Sequence, residues 1–471
     1  MAPRRTLTWV AILYFAEGLP FGIAYDVWPA FFRVHGVPLR EIGLMSLLML
    51  PYTLKPAWAP LVDRFGTRRV WIAAAEFALA AWILVLSGLD AAHPGPVLWA
   101  VLLAFTLASA TQDIAIDAYT VDLSTPETTG AINGVRVSAY RIALVASGGV
   151  LMVLAEPRSW RALATWVPVR PLARWIGGFA ELSGWRLAWI VAAAALVVLG
   201  VAALATPRVE RTPPRPTTGR AGEFVRLRVG AVAAFALVVT GAALTHFTVL
   251  GLTLTAVAGG LALGSFLDPD LLRWALRWEM VPVLLFVPLY KIGDTTLGRM
   301  VKPFWVDRGL TLTEIGLISV TLGVAFTILG ALAGGWFVDR FGIFRGLLWL
   351  GIAQSAVNFG YVAVAALNLP RGTIYAASML ESFGQGLGTA AFLSFLMNLC
   401  DKEHAAGQYA LLSALFALTR DVSGAFSGVG VERLGYAAFF AFTAAIAIPG
   451  LLLLPLIRPR IRERAAAPAS T

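Results

Sequence analysis

The sequence predicts an all-α polytopic membrane protein, and three observations carry that reading. Of 471 residues, 58% are hydrophobic and 14% charged, with a mean hydropathy of +0.76, a balance that soluble chains do not reach. Apolar runs near the length needed to cross about 30 Å of hydrocarbon recur from Trp9 to Leu456. Runs such as 97–116 and 187–204 show no period-two polarity, which excludes the alternating strands of a membrane barrel and leaves a helical bundle.

Breaks at glycine, proline and charge clusters delimit helices at roughly 8–32, 41–60, 70–89, 97–122, 131–154 and 185–205, six spans in the first half. The first is expected to be a retained helix: Arg4 and Arg5 precede it, Glu17, Pro20 and Asp26 interrupt it, and no small-residue cleavage site follows. A second set is expected at roughly 281–300, 312–336, 345–367, 375–400, 408–430 and 435–457. Residues 207–228, with arginines among Pro213, Pro214 and Pro216, have the composition of a solvated linker. The apolar stretch 229–266, broken by Thr245 and His246, fits two tightly turned helices and brings the expected number to about fourteen. Residues 157–184 mix Arg158, Arg161, Arg170 and Arg174 with Trp160, Trp166 and Trp175, and are expected to lie in the membrane interface.

The expected domains are therefore a six-helix bundle over 1–206 with the interfacial insertion 157–184, and a cytoplasmic linker over 207–228. An extra hairpin with an amphipathic segment follows over 229–280, then a second six-helix bundle over 281–457 and a cytoplasmic tail over 458–471. The net charge of +10 is spread in short arginine clusters between apolar segments, without a basic, aromatic-interleaved domain, so nucleic acid is not an expected partner. Arg64, Arg68 and Arg69, the linker, Arg340 and Arg345, and the C-terminal arginines share one side if the first helix runs outward, which puts both termini in the cytoplasm. Cys400 stands alone, and His35, His93, His246 and His404 have no metal-ligand spacing, so neither a metal site nor a cofactor is expected.

The halves repeat. Glu41-Ile42-Gly43-Leu44 with Ser46 recurs as Glu314-Ile315-Gly316-Leu317 with Ser319, and Val62-Asp63-Arg64-Phe65-Gly66 recurs as Val338-Asp339-Arg340-Phe341-Gly342. Leu13-Tyr14 and Gly22 match Leu289-Tyr290 and Gly298 at the spacing that separates the two Asp-Arg motifs. Three matches in order, on equivalent helices, predict two six-helix bundles related by a parallel repeat, which resembles the major facilitator superfamily. Asp63 to Arg69 also resembles that superfamily's signature loop. A cytoplasmic gate is expected from Asp63, Arg64, Arg68, Asp122, Asp339 and Arg340, whose pairings would break when that side opens. The alternative for the loop is a charged topogenic turn.

Glu17, Asp113, Asp117, Arg141, Lys291, Asp294, Glu381, Arg420 and Asp421 fall inside predicted spans, where an ionisable group costs a few kcal/mol or more unless paired or solvated. Asp113 and Asp117, one helical turn apart, present their carboxyls to the same side, with Gln112 beside them. Proton coupling is expected from Asp113 first, then from Asp117, Glu17 and Asp294. For Asp117 and Asp122 an ionic lock with Arg64 or Arg68 is equally open. Arg141 and Lys291 suit either neutralising these carboxylates or holding an anionic substrate. Gln354, Asn358 and Gln385 offer neutral hydrogen-bonding groups, for sugar hydroxyls and amides or as interhelical glue, and Tyr14, Tyr25, Tyr140 and Trp28 could stack on a sugar or anchor at the interface. No phosphate loop or nucleophile motif is present, so a membrane acyl- or glycosyltransferase is the weaker reading and no enzyme is expected.

Ser109 to Tyr119, Tyr140-Arg141, Ser147-Gly148-Gly149, Leu289 to Asp294, Asn358 to Tyr361, Glu381 with Gly386 to Phe392, and Ala410 to Leu415 together resemble the AmpG muropeptide permeases. The resemblance spans most of both bundles. It implies import of anhydromuropeptides, N-acetylglucosaminyl-anhydromuramyl peptides, from periplasm to cytoplasm for cell-wall recycling, driven by the proton gradient across the bacterial inner membrane. It also implies a transport role for Gln112, Asp113, Asp117, Arg141, Lys291, Gly293 and Asp294, without assigning each a step; substrate contacts are expected from Gln112, Tyr140, Arg141, Lys291, Asn358, Glu381 and Gln385. The expected partners are that sugar-peptide, protons and the lipid bilayer, with a monomer as the working unit. Acetyl-coenzyme A transporters share the Gln-Asp-Ile segment and are the alternative substrate class.

Overall fold

The computed structural model describes residues 3–55, 58–124, 128–156, 184–208, 273–275, 277–400 and 405–461. Among them there is no strand, and nine helical stretches are long and apolar enough to cross a membrane. The expected hairpin over 229–266, the interfacial segment over 157–183 and most of the linker lie outside the described residues.

In the first half, α1 runs through Pro3–Gly22, a π turn at Ile23–Val27 and Trp28–Val34. α2 comprises Leu39–Leu44, a 3-10 segment Met45–Met49, Leu50–Leu54 and, past two undescribed residues, Ala59–Arg64. α3 (Arg68–Ser87), α4 (Pro96–Leu123), α5 (Thr129–Leu144, π turn Val145–Val150, Leu151–Ala155) and α6 (Trp185–Leu204) follow. The second half contains α7 (Val281–Asp307), α8 (Leu312–Glu314, π segment Ile315–Leu322, Gly323–Phe341), α9 (Ile343–Ala366) and α10 (Arg371–Leu399). The helical stretch Ala405–Ala445 is divided at Gly435, whose φ of 74° breaks the helix, into α11 before it and α12 after it; α12 extends through Ile448–Leu452 and Leu454–Ile457. These twelve correspond to the expected spans, with ends shifted by a few residues. α1 begins earlier because Pro3 fits a first helical turn, and Pro20 inside it withholds a backbone donor just before the π turn.

By Cα proximity the described residues of Met1–Val37, Leu48–Ala258 and Val306–Thr321 form one compact unit, and those of Pro38–Leu47, Gly259–Trp305 and Leu322–Thr471 another. In the first unit, α1 packs on α5 and α4, and α3 on α4 and α6. Its core gathers Leu13, Ile72, Ile116, Tyr119 and Ile132. In the second, α10 packs on α8 and α9 around Phe286, Leu347, Phe392, Phe395 and Leu454. Outward faces carry exposed apolar side chains such as Val198, Leu332 and Leu452, because the surrounding solvent is hydrocarbon.

The sequence repeat is also a packing repeat. In the second unit, a Cβ on Gly43 of α2 would lie 2.8 Å from Gly428 N and 3.0 Å from Ala425 O of α11. In the first, a Cβ on the equivalent Gly316 of α8 would lie 2.7 Å from Gly149 O of α5. Each repeated glycine thus lets a helix start lie directly on a neighbour's backbone. The open amides at those starts also meet carboxylates: Arg40 N donates to Glu432 Oε1 at 3.0 Å, and Leu312 N to Glu156 Oε2 at 3.3 Å. Beside the second of these, in the first unit, Arg33 of α1 and Asp307 of α7 form a two-bond ion pair at 2.5 and 2.8 Å.

A leucine at Gly316 has no room between α8 and α5. Gly316→Leu is expected to cost about 1–3 kcal/mol and lower the unfolding midpoint in detergent by several degrees, whereas Gly372→Leu, with open space at its Cβ, should leave it unchanged.

Candidate functional site

In the first unit, α1, α2, α4 and α5 bring together a charge cluster in which Glu17 and Asp113 are buried and Lys55, Asp117 and Arg136 are partly exposed. The carboxyl oxygens of Glu17, Asp113 and Asp117 lie within 4.8 Å of one another. Asp113 forms an ion pair with Lys55 of α2. Asp117 Oδ1 accepts from Tyr14 Oη at 2.7 Å and from Arg136 Nη2 at 3.0 Å, and the Arg136 guanidinium sits 4.7 Å above the Tyr14 ring. Glu17 has no ion-pair partner among the described residues, and its Oε2 is buried without a hydrogen bond.

Two of these groups, Lys55 and Arg136, are missing from the sequence-based set. Both lie inside predicted spans, so the rule that singled out Arg141 also applies to them. Arg141 itself is half-buried and makes no ion pair among the described residues. Gln112 is fully buried and faces away from the cluster, its Nε2 donating to Glu76 Oε1 at 2.6 Å. Tyr140 and Tyr25 are half-buried and flank Phe21 at 5.9 and 5.6 Å, with Tyr52 edge-on to the same ring at 5.2 Å. These rings form an aromatic patch on α1, α2 and α5. Trp28, by contrast, is a core residue against Phe105.

Of the expected gate residues, Arg68 lies 3.7 Å from Asp122 and donates to Val62 O at 2.9 Å, tying the start of α3 to the ends of α4 and α2 within the first unit. Asp339 and Arg340 are exposed at the end of α8. The side chains of Asp63 and Arg64 lie outside the described residues.

In the second unit, Lys291 of α7 is 1% exposed and donates to Thr389 Oγ1 at 3.0 Å, Gln354 Oε1 at 3.3 Å and Asp294 Oδ2 at 3.4 Å. Gly388 makes room for this, since a Cβ there would overlap Gln354 Oε1. The unused ends of the same groups, Asp294 Oδ1 and Gln354 Nε2, are buried without partners, as is Asn358 Oδ1. All three residues line a small cavity of about 10 Å³, bounded also by Tyr290, Gly351, Ser355, Ala447 and Leu451. Glu381 is buried on α10, and Gln385 is half-buried one turn further along that helix. Arg420 pairs with the fully buried Asp421 at 3.0 Å.

The fold resembles solved transporters of low sequence identity. A bacterial homologue of the human lysosomal transporter Spinster superposes with a TM-score of 0.70 at 12% identity, covering 99% of this chain and 100% of that one. A POT family transporter in complex with a thioalcohol-conjugated peptide gives 0.68 at 15% identity, with 97% of each covered. The family model described as Major Facilitator Superfamily matches residues 283–471, and that for acetyl-coenzyme A transporter 1 matches 7–93. Over 465 residues the chain is 32% identical to the anhydromuropeptide permease of Escherichia coli K12, covering 97% of this chain and 80% of that one. The chain belongs to the AmpG-like muropeptide permeases of the major facilitator superfamily. A putative transporter AmpG 4 of Rickettsia conorii is 26% identical, with 96% of each chain covered. Membership in this family makes the protein a multi-pass membrane transporter and not an enzyme.

The Lys55–Asp113 pair gives the cluster a sharp test. Lys55→Met leaves Asp113 without its cation and is expected to cost up to about 3 kcal/mol, while Lys55→Met with Asp113→Asn should recover most of that loss. Unfolding midpoints of the four proteins of the cycle in detergent measure the coupling.

Proposed function

We propose that the protein imports anhydromuropeptides across the bacterial inner membrane in symport with protons, by alternating access, as a monomer with both termini in the cytoplasm. The identity to the E. coli permease supports the substrate. The observation that carries the coupling is the charge balance of the first-unit cluster: three carboxyls face two cations, with Lys55 on Asp113 and Arg136 on Asp117. Glu17 is left over.

A proton on Glu17 makes the cluster neutral, and its release leaves one net negative charge in a low-dielectric setting. The ion pair with Lys55 moves the exchangeable proton from Asp113, the first candidate by sequence, to its neighbour. Asp113 and Asp117 then serve as the fixed charges that make Glu17's protonation state matter. In the second unit Lys291 is the cation proposed to meet the substrate's acidic groups, with Asn358, Glu381 and Gln385 supplying polar contacts. Tyr140 with its aromatic patch and Arg141 are the proposed substrate contacts of the first unit, while Gln112, expected by sequence to touch the substrate, is proposed to act from behind them by fixing α4 through Glu76. Arg64, Arg68, Asp63, Asp122, Asp339 and Arg340 are the proposed cytoplasmic gate.

The match of residues 7–93 to the acetyl-coenzyme A transporter description keeps that anion as the second substrate reading. Proteoliposome uptake of labelled N-acetylglucosaminyl-anhydromuramyl peptide, with and without an inward proton gradient and beside acetyl-coenzyme A, separates the two. Muropeptide alone should accumulate, and only with the gradient. Glu17→Gln, fixed in the neutral form, should exchange labelled for unlabelled substrate yet fail to concentrate it, at any pH. Equal loss of exchange and accumulation would make Glu17 a structural residue.

A further inference from the structure

Glu76 of α3 stands apart from the charge cluster, and no transport step described above uses it. It has no exposed surface, and α6 closes over it so tightly that a Cβ on Gly200 would lie 3.1 Å from Glu76 Cβ. Its Oε1 accepts the 2.6 Å bond from Gln112 Nε2 of α4. The other oxygens of the same two planar groups, Glu76 Oε2 and Gln112 Oε1, are both buried, and neither has a hydrogen-bond partner among the described residues.

Among the described residues no cation balances the carboxyl. The ionisable residue of α6 is Arg186, near the far end of that helix, and those of α3 are Arg68 and Arg69, near two turns away. On α4, Asp113 is engaged with Lys55, Asp117 with Tyr14 and Arg136, and Asp122 with Arg68, while the Tyr119 hydroxyl donates to Pro207 O. An ionised Glu76 would set two acceptor oxygens side by side in an apolar seat, each without a donor.

We propose that Glu76 permanently holds a proton on Oε2 and donates it to Gln112 Oε1, closing a two-bond acid–amide ring that fixes α4 against α3. Glu76 is then a positioning residue. The ring uses the full hydrogen-bonding capacity of the Gln112 amide on that side and fixes the rotation of α4, so that Asp113, the next residue, points at Glu17 and Lys55. The proton on Glu76 stays in place throughout transport, in contrast to the exchangeable one proposed for Glu17.

Infrared spectroscopy of the full-length protein in bilayers tests this without relying on the substrate assignment. Beside the titrating band expected from Glu17, the wild type should show a protonated-carboxyl C=O band that persists unchanged from about pH 5 to about pH 9. Glu76→Gln should remove that band, and Gln112→Met, which takes away the partner amide, should shift it. Glu76→Gln keeps both hydrogen bonds as an amide pair and should retain gradient-driven accumulation within about twofold, with an unaltered pH profile. Titration within this window of the band that Glu76→Gln removes, or the absence of any such band from the wild type, would overturn the proposal. So would a Glu76→Gln protein that exchanges substrate but no longer concentrates it, which would mark Glu76 as a coupling carboxyl. If Glu76→Gln does not fold, the wild-type titration and the Gln112→Met shift still decide. If no muropeptide is transported, the infrared result stands by itself.

Discussion

An ion carried into hydrocarbon must find its counter-charge inside the protein, and in this fold that requirement governs where the ionisable side chains sit. Lys55 meets Asp113, Arg136 meets Asp117, Arg420 meets Asp421, and Lys291 is held by Asp294 with two neutral oxygens. Each pairing joins groups whose separate burial would cost several kcal/mol. The arrangement is economical in an instructive way. Where the charges cancel, as at Lys55 and Asp113, the pair fixes helix positions; where one carboxyl is in excess, at Glu17, lies the site proposed above for the exchangeable proton.

Glycine supplies the complementary constraint. With little hydrophobic drive between helices in lipid, close backbone approach does the work of holding them together. The contacts of Gly43 with α11 and of Gly316 with α5 repeat one another, as do the carboxylates of Glu432 and Glu156 at the two helix starts. A charge that needs a partner on another helix can rely on that partner's position only because these backbones are in contact.

The twelve helices were legible from run length and punctuation, because hydrocarbon thickness sets the length of a span and glycine, proline and arginine mark its ends. The repeat was legible because Gly43 and Gly316 fill the same packing role and tolerate no side chain. The shared face of Asp113 and Asp117 followed from the helical period alone. Their partners did not, since whether Lys55 or Arg141 lies opposite depends on which helices touch. Gln112 shows the same limit from the other side: one residue from Asp113 is about 100° around the helix, so its amide turns toward α3 and Glu76 instead of joining the carboxylates. The π turns in α1, α5 and α8 were invisible to hydropathy, which does not register one extra residue in a turn.

Those π turns meet at one place in the first unit, where a Cβ on Gly148 would lie 2.8 Å from Val320 and 3.2 Å from Asp26. A π turn holds one more residue than the α turn it replaces, and everything beyond it is rotated by about 100° relative to an unbroken helix. Evolution can therefore add or remove one residue at such a place without shortening the span, at the expense of turning a helix face. An alignment of distant relatives that opens a single-residue gap in the middle of one of these helices would thus record a change in which face the helix presents, and the gap would be a structural event instead of an alignment error.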